Sequence, residues 1–245
     1  MKIKFENIIV ILLFLAVNTN LFGQYEHNRY VIWYIPSSNT CINGIGFGPF
    51  INTLEMEHEG YGGGVANVRK IAKVNGISIE FFGAGFGSLF TNIDRVYREN
   101  TGGYNSFSTN CENYAYHENG LSVSLLGKGN TFLQVNGICI GGLASFTGNT
   151  NGISFAPVYC LNITQNGISA GLVNFSIINS GLQIGIIRTR THILNGMQIG
   201  LFNNSEVTKG IQIGLWNNSD NLKGLQIGLL NFNQERFFPF VNWSF

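Results

Sequence analysis

Six segments of this 245-residue chain open on a glycine and repeat one phrase: GISFAPVY from Gly152, GISAGLVN from Gly167, GLQIGIIR from Gly181, GMQIGLFN from Gly196, GIQIGLWN from Gly210 and GLQIGLLN from Gly224. The steps between them are 15, 14, 15, 14 and 14 residues. Looser copies come earlier: GIGFGPF at Gly44, GISIEFF at Gly76, GLSVSLL at Gly120 and GICIGGL at Gly137. A short, regular period of this kind belongs to one supersecondary unit that buries its apolar side only against its neighbours. One repeated unit, rather than a decorated enzyme fold, therefore accounts for most of the chain.

Within each unit the first, third and fifth residues after the glycine are mostly Ile, Leu, Met or Val, and those between are Gly, Gln, Ser or Cys. Alternation with period two predicts a β-strand. Asn precedes the glycine at Asn43, Asn75, Asn119, Asn136, Asn151, Asn166 and Asn195. Asn-Gly suits the positive-φ positions of tight hairpins, so successive strands are expected to reverse and pair as an antiparallel meander. Three alternate residues span roughly 20 Å of strand, and about 15 Å along a membrane normal after tilting. A transmembrane barrel carries an apolar band of about 25 Å. The trio Ile211, Ile213 and Leu215 therefore suits the inside of a shallow closed barrel better than lipid, with Gln212 and Gly214 facing outward.

Two other all-β architectures fit parts of the pattern. The terminal FVNWSF alternates Val241, Trp243 and Phe245 like the closing strand of an outer-membrane β-barrel. A parallel β-solenoid would explain the constant spacing by stacking identical positions into Gln and Asn ladders, with Val207 or Leu222 filling its second face. The Asn-Gly hairpin signals argue against the solenoid.

The N-terminus MKIKFENIIVILLFLAVNTNLFGQ sets Lys2 and Lys4 before an apolar run from Ile8 to Val17. That is the layout of a secretory signal peptide, and the run is too short to span a bilayer. Residues 1–24 are read as that signal and 25–245 as a single β-repeat domain, clearest over 152–245. Export to the cell envelope, outer membrane or cell surface follows. With 14 Lys plus Arg against 13 Asp plus Glu and no basic run, the chain lacks the charge footprint of a nucleic-acid binder. In an oxidising compartment Cys41, Cys111, Cys139 and Cys160 allow three pairings, and their spacing matches no zinc-ligand pattern. Packed thiols or one or two disulfides are expected.

The GLQIGLFN-like units, closed by FFPFVNWSF, resemble the bacterial cell-envelope proteins described as surface-repeat proteins. The resemblance is strongest over residues 152 to 245 and looser over 41 to 143. It implies the β-flower, in which short hairpins surround an apolar centre, and it implies no established activity. No catalytic residue carries over from it. Some relatives bear a lipoprotein cysteine near the N-terminus, whereas here no Cys follows the apolar run until Cys41.

Several motifs invite chemistry. Gly167-Ile168-Ser169-Ala170-Gly171 spells the nucleophile elbow of α/β-hydrolases. Yet Ser169 fills the slot that Gln183, Gln198, Gln212 and Gln226 hold in other units, and His192 has no identifiable acidic orienter. Gly83-Ala84-Gly85-Phe86-Gly87 lacks the helix and lysine of a phosphate loop. Glu55, Glu57, His58 and Glu59 would converge on a cation only from a loop, because neighbours in a strand point to opposite faces. None of these is taken as a catalytic, cofactor or metal site. The expected contact surface consists of Tyr97, Tyr104, Phe107, Tyr114, Tyr116 and His117 in the interval that breaks the rhythm, with Phe202 and Trp216 as an apolar rim. The expectation is a non-enzymatic scaffold or binding protein, meeting a membrane surface or an envelope partner, with an outer-membrane β-barrel pore as the alternative and a Ser169 hydrolase behind it.

Overall fold

The computed structural model describes residues 27–35, 40–49, 72–83, 116–234 and 236–244. Twelve strands form one sheet: β1 (His27–Tyr34), β2 (Thr40–Gly48), β3 (Ala72–Glu80), β4 (Tyr116–Ser124), β5 (Gly127–Gly141), β6 (Ala144–Phe155), β7 (Tyr159–Leu194), β8 (Met197–Thr208), β9 (Ile211–Ile213), β10 (Trp216–Leu222), β11 (Gly224–Asn233) and β12 (Arg236–Ser244). Each pairs with its sequence neighbours, except that β9 lies between β8 and β11, as does β10. Among the described strands every pairing is parallel apart from β11 with β12. The chain therefore winds as a parallel β-solenoid of about 10 turns, one repeat per coil. The expected antiparallel meander, its closed barrel and the β-flower are overturned. The outer-membrane barrel falls with them.

The register shows why. Gly44 pairs with Gly76, Gly76 with Gly120, Gly120 with Gly137, Gly137 with Gly152 and Gly152 with Gly167. Gly181, Gly196, Gly210 and Gly224 continue the stack, each lying against the preceding glycine's carbonyl. At Gly152 φ is 137°, and a Cβ there would overlap the Gly137 carbonyl oxygen. Only glycine meets both demands. The Asn-Gly dipeptide therefore serves the stack and not a hairpin turn. The asparagines form a ladder: Asn75 Nδ2 donates to Asn43 Oδ1 (2.8 Å), Asn119 to Asn75 (2.8 Å), Asn136 to Asn119 (2.7 Å), Asn151 to Asn136 (2.7 Å) and Asn166 to Asn151 (2.8 Å).

The coil from Gly210 to Lys223 illustrates the cross-section. Ile211–Ile213 makes one wall, Gly214 and Leu215 turn a corner, and Trp216–Leu222 returns as the second wall. Gln212 and Asn217 point inward and are fully buried, whereas Leu215 and Trp216 are exposed. The faces expected from the sequence are thus exchanged: the glutamines lie inside and the isoleucines outside. Gln198 Nε2 donates to Gln183 Oε1, Gln212 to Gln198 and Gln226 to Gln212, each at 2.8 Å. On the facing wall Asn203 Nδ2 donates to Asn217 Oδ1 and Asn217 Nδ2 to Asn231 Oδ1, both at 2.7 Å. Each amide also reaches across the interior: Asn203 Nδ2 to the Ile213 carbonyl at 2.8 Å and Gln212 Nε2 to Ser205 Oγ at 3.0 Å. Buried amides satisfied this fully cost little, which is what allows a polar interior.

Along the axis the filling changes. The first coils hold an apolar cluster of Ile35, Ile42, Val74, Tyr116, Leu133, Val135 and Cys139. Small groups such as Ser154 and Ser169 follow, and then the glutamine ladder. At the far end β12 runs antiparallel and carries Pro239, which has no N–H to offer along an edge. Non-glycine residues with positive φ occur among the described residues only at Val31, opposite Gly44, and at Phe240, opposite Gly228. Both belong to the terminal strands of the stack.

Replacing Gln212 with leucine tests the inward ladder. It strands Gln198 Oε1 and one of the two N–H groups of Gln226 Nε2, the other still donating to the Phe232 carbonyl, at about 1–3 kcal/mol per orphaned group. Urea unfolding should therefore show a loss of about 2–4 kcal/mol, whereas an outward-facing Gln212 would tolerate the change with almost no loss.

Candidate functional site

Because the amides are inside, the apolar residues of the repeat line the outside of the first wall in two straight columns. One runs from Ile45 through Ile77, Leu121, Ile138, Ile153 and Ile168, and resumes from Leu182 to Leu225. Its companion runs from Phe47 through Phe155 and Ala170, and from Ile184 to Ile227. No charged or amide side chain interrupts either column. Ile138, Ile153, Ile168, Phe155 and Ile227 are each about two-fifths exposed. From Gly120 onward the glycines recur every 14 to 17 residues, and the coils stack in register.

The two borders differ. On one side the face ends at the asparagine ladder, continued in the later coils by the exposed Asn195, Lys209 and Lys223. On the other side it continues over an apolar corner, where the exposed Leu126, Leu143 and Val158 occupy three successive coils and Leu201, Leu215 and Leu229 three later ones. Phe202 and Trp216, read from the sequence as an apolar rim, stand beyond this corner in adjacent coils and are exposed. With Ile187, Arg188 and Asn204 they line a shallow cleft of about 290 Å³. Trp216 stacks on Phe232 at 4.7 Å, which extends the aromatic strip toward the C-terminal end.

The other expected contact residues fare differently. Tyr116 is buried inside the apolar cluster, because its place at the start of β4 pairs it with the buried Leu133 of β5. That corrects its assignment to an exposed surface. His117, the next residue, is half-buried. Tyr97, Tyr104, Phe107 and Tyr114 lie outside the described residues, as do the signal segment, Glu55, Glu57, His58, Glu59, Cys111 and Ala84 to Gly87.

Ser169 is fully buried between the walls, and its hydroxyl accepts a hydrogen bond from Asn174 Nδ2 at 3.0 Å. His192 Nδ1 lies 2.7 Å from Glu206 Oε1. Cys139 and Cys160 are buried free thiols, and Cys41 is buried as well. Cys139 lies 3.6 Å from Ser145 Oγ, and burial pushes its pKa from 9.0 up to about 12, against the opposing pull of Lys128. Burial also raises that of Cys160. Among the described residues no group of three or more His, Cys, Asp or Glu side chains is placed to hold a metal ion.

One charged constellation escaped sequence reading. Lys128 is buried, with its Nζ 3.0 Å from Glu80 Oε1 and 2.9 Å from Glu118 Oε2. Ser78 Oγ adds a 2.7 Å hydrogen bond to Glu118 Oε1. Burial by itself lowers the lysine pKa, but Glu118 and Glu80 together outweigh it and hold the ammonium above its ordinary range. The signal was present: Glu118 occupies an inward slot that Val74 and Val135 fill in the adjacent coils. A charge in an apolar column asks for a buried partner.

Lys128→Met leaves two buried carboxylates without their cation and should cost about 3–5 kcal/mol in denaturant unfolding. The thiols give a pH test. A folded-state pKa raised above the unfolded value means that stability is complete below the unfolded value and declines as pH rises toward the folded one. Unfolding free energy should therefore fall between about pH 9 and 12, and replacing Cys139 and Cys160 with serine should flatten that fall. At pH 8 a thiol reagent should leave both cysteines untouched until urea unfolds the chain.

No protein-family model, curated protein or solved structure matches this chain.

Proposed function

We propose that this chain is an exported, non-enzymatic scaffold of the bacterial cell envelope that works by laying its outer apolar face against a hydrophobic partner surface. The observation that carries the reading is the pair of uninterrupted apolar columns outside a solenoid whose interior hydrogen-bonding is complete along the ladders. Monomeric proteins rarely expose contiguous apolar patches beyond about 300–600 Å² without using them. Ten coils at about 4.8 Å per coil, across two columns about 14 Å wide in all, present roughly 670 Å². The apolar corner adds to that.

The signal-like N-terminus supports export, and the likeness to surface-repeat proteins supports the envelope. The scaffold reading is supported by the buried positions of the reactive side chains named from the sequence. Ser169, Cys139 and Cys160 are sealed between the walls.

Substituting lysine for Ile211 and Ile227 tests the reading without touching the ladders. Both side chains stand outside, so the melting temperature should hold within a few degrees. Retention in washed envelopes of the native host should drop at least several-fold. Undiminished retention would count against the apolar face as the working surface.

A further inference from the structure

We propose that the surface covered by this face is its own counterpart on a second copy, in a two-fold dimer whose solenoids run antiparallel, with Phe155 of each copy seated over Ala170 of the other. This rests on the reading of the apolar face as a docking surface and names its occupant.

The shape of the face argues for a copy of itself. Its columns have the pitch of stacked strands, about 4.8 Å, and only another such sheet repeats that spacing along the whole length. Two faces packed as a sandwich would bury roughly 1,300 Å² together, within the range of about 1,200–2,000 Å² for specific complexes. Over the first coils the border is made of asparagine amides with the exposed Lys73 just beyond it, and Lys209 and Lys223 stand near the other end, so its cations are scattered rather than continuous. A face seated on an anionic bilayer would be expected to carry a basic fringe along its length. A polar amide rim around an apolar centre is instead the ordinary anatomy of a protein interface.

The second column fixes the alignment. It holds medium-sized aliphatic side chains over most of its length, but at its middle a large residue adjoins a small one: Phe155, two-fifths exposed, beside Ala170 in the next coil. A two-fold axis lying in the interface and perpendicular to the solenoid axis reverses coil order and leaves the columns superposed. With the axis between these two coils, Phe155 meets the partner's Ala170, and Ala170 meets the partner's Phe155. The same operation sets Ile153 against the partner's Ile168. Bump and notch are then filled reciprocally, as an isologous interface requires.

The test is the mass of the full exported chain, measured by light scattering after size exclusion and by sedimentation at about 1–100 μM. The wild type should be a dimer. Ala170→Phe, an outward change, should leave the melting temperature nearly unchanged and weaken dimerisation at least about 100-fold, because two bulky side chains then collide at the centre of the interface. Adding Phe155→Ala to that variant exchanges bump and notch and should restore the dimer. A wild-type monomer at 100 μM, an unaffected Ala170→Phe dimer, or an exchange variant that stays monomeric would each overturn the proposal. Flotation with vesicles of phosphatidylethanolamine and phosphatidylglycerol separates the two readings. A monomer whose vesicle binding is lost in the Ile211→Lys, Ile227→Lys variant removes the second copy but keeps the docking face. A monomer that neither floats nor is retained in envelopes removes both.

Discussion

The structure depends on side-chain amides that hydrogen-bond to their own equivalents one coil away. Gln183, Gln198, Gln212 and Gln226 form such a chain on one wall, and Asn203, Asn217 and Asn231 form another on the wall opposite. An amide suits this role because it carries a donor and an acceptor on the same planar group, so it can give to one neighbour and receive from the next. The geometry works only when identical residues stack in parallel register at the strand spacing. The amide ladders and the parallel winding therefore require each other. The glycine column closes the arrangement by letting successive coils approach where any side chain would collide with the carbonyl beneath it.

From this polar interior follows the unusual exterior. A two-walled solenoid with one side of each strand committed to amides must turn the alternate residues outward, and in this repeat those residues are isoleucine, leucine and phenylalanine. Burial that would ordinarily drive folding is thus deferred to whatever covers the outer face. The interior in turn must be held by hydrogen bonding, by the apolar cluster of the first coils and by the ionic link from Lys128 to Glu80 and Glu118. The chemistry-bearing side chains follow the same geometry. Ser169 and the thiols of Cys139 and Cys160 occupy inward slots, where burial keeps the thiols protonated.

Much of the strand structure was legible in the chain itself. The alternation around Ile211, Gln212 and Ile213 correctly identifies a strand, and the exposure of Phe202 and Trp216 agrees with their place just past the apolar run. The side of the strand was misread for a definable reason. Periodicity states which residues share a face and is silent on which face is inner, and the usual rule that apolar residues go inside supplied the wrong sign. Asn-Gly misled similarly. The dipeptide reports a glycine with positive φ, and a stacked coil uses that conformation as readily as a hairpin does. Tyr116 and the Lys128 cluster show the third limit, since burial of either depends on coils that approach only after winding.

Read alone, the residues establish an all-β chain of about fifteen-residue units, with period-two strands and glycines at one fixed place in each. These are local properties, carried by neighbouring residues and insensitive to what lies across the sheet. Parallel or antiparallel pairing, and with it the inward or outward sense of every side chain, was decided by tertiary structure. The reason is that an amide in an isolated strand has water for both its donors and its acceptor, and gains a self-complementary partner only when the next coil arrives in register.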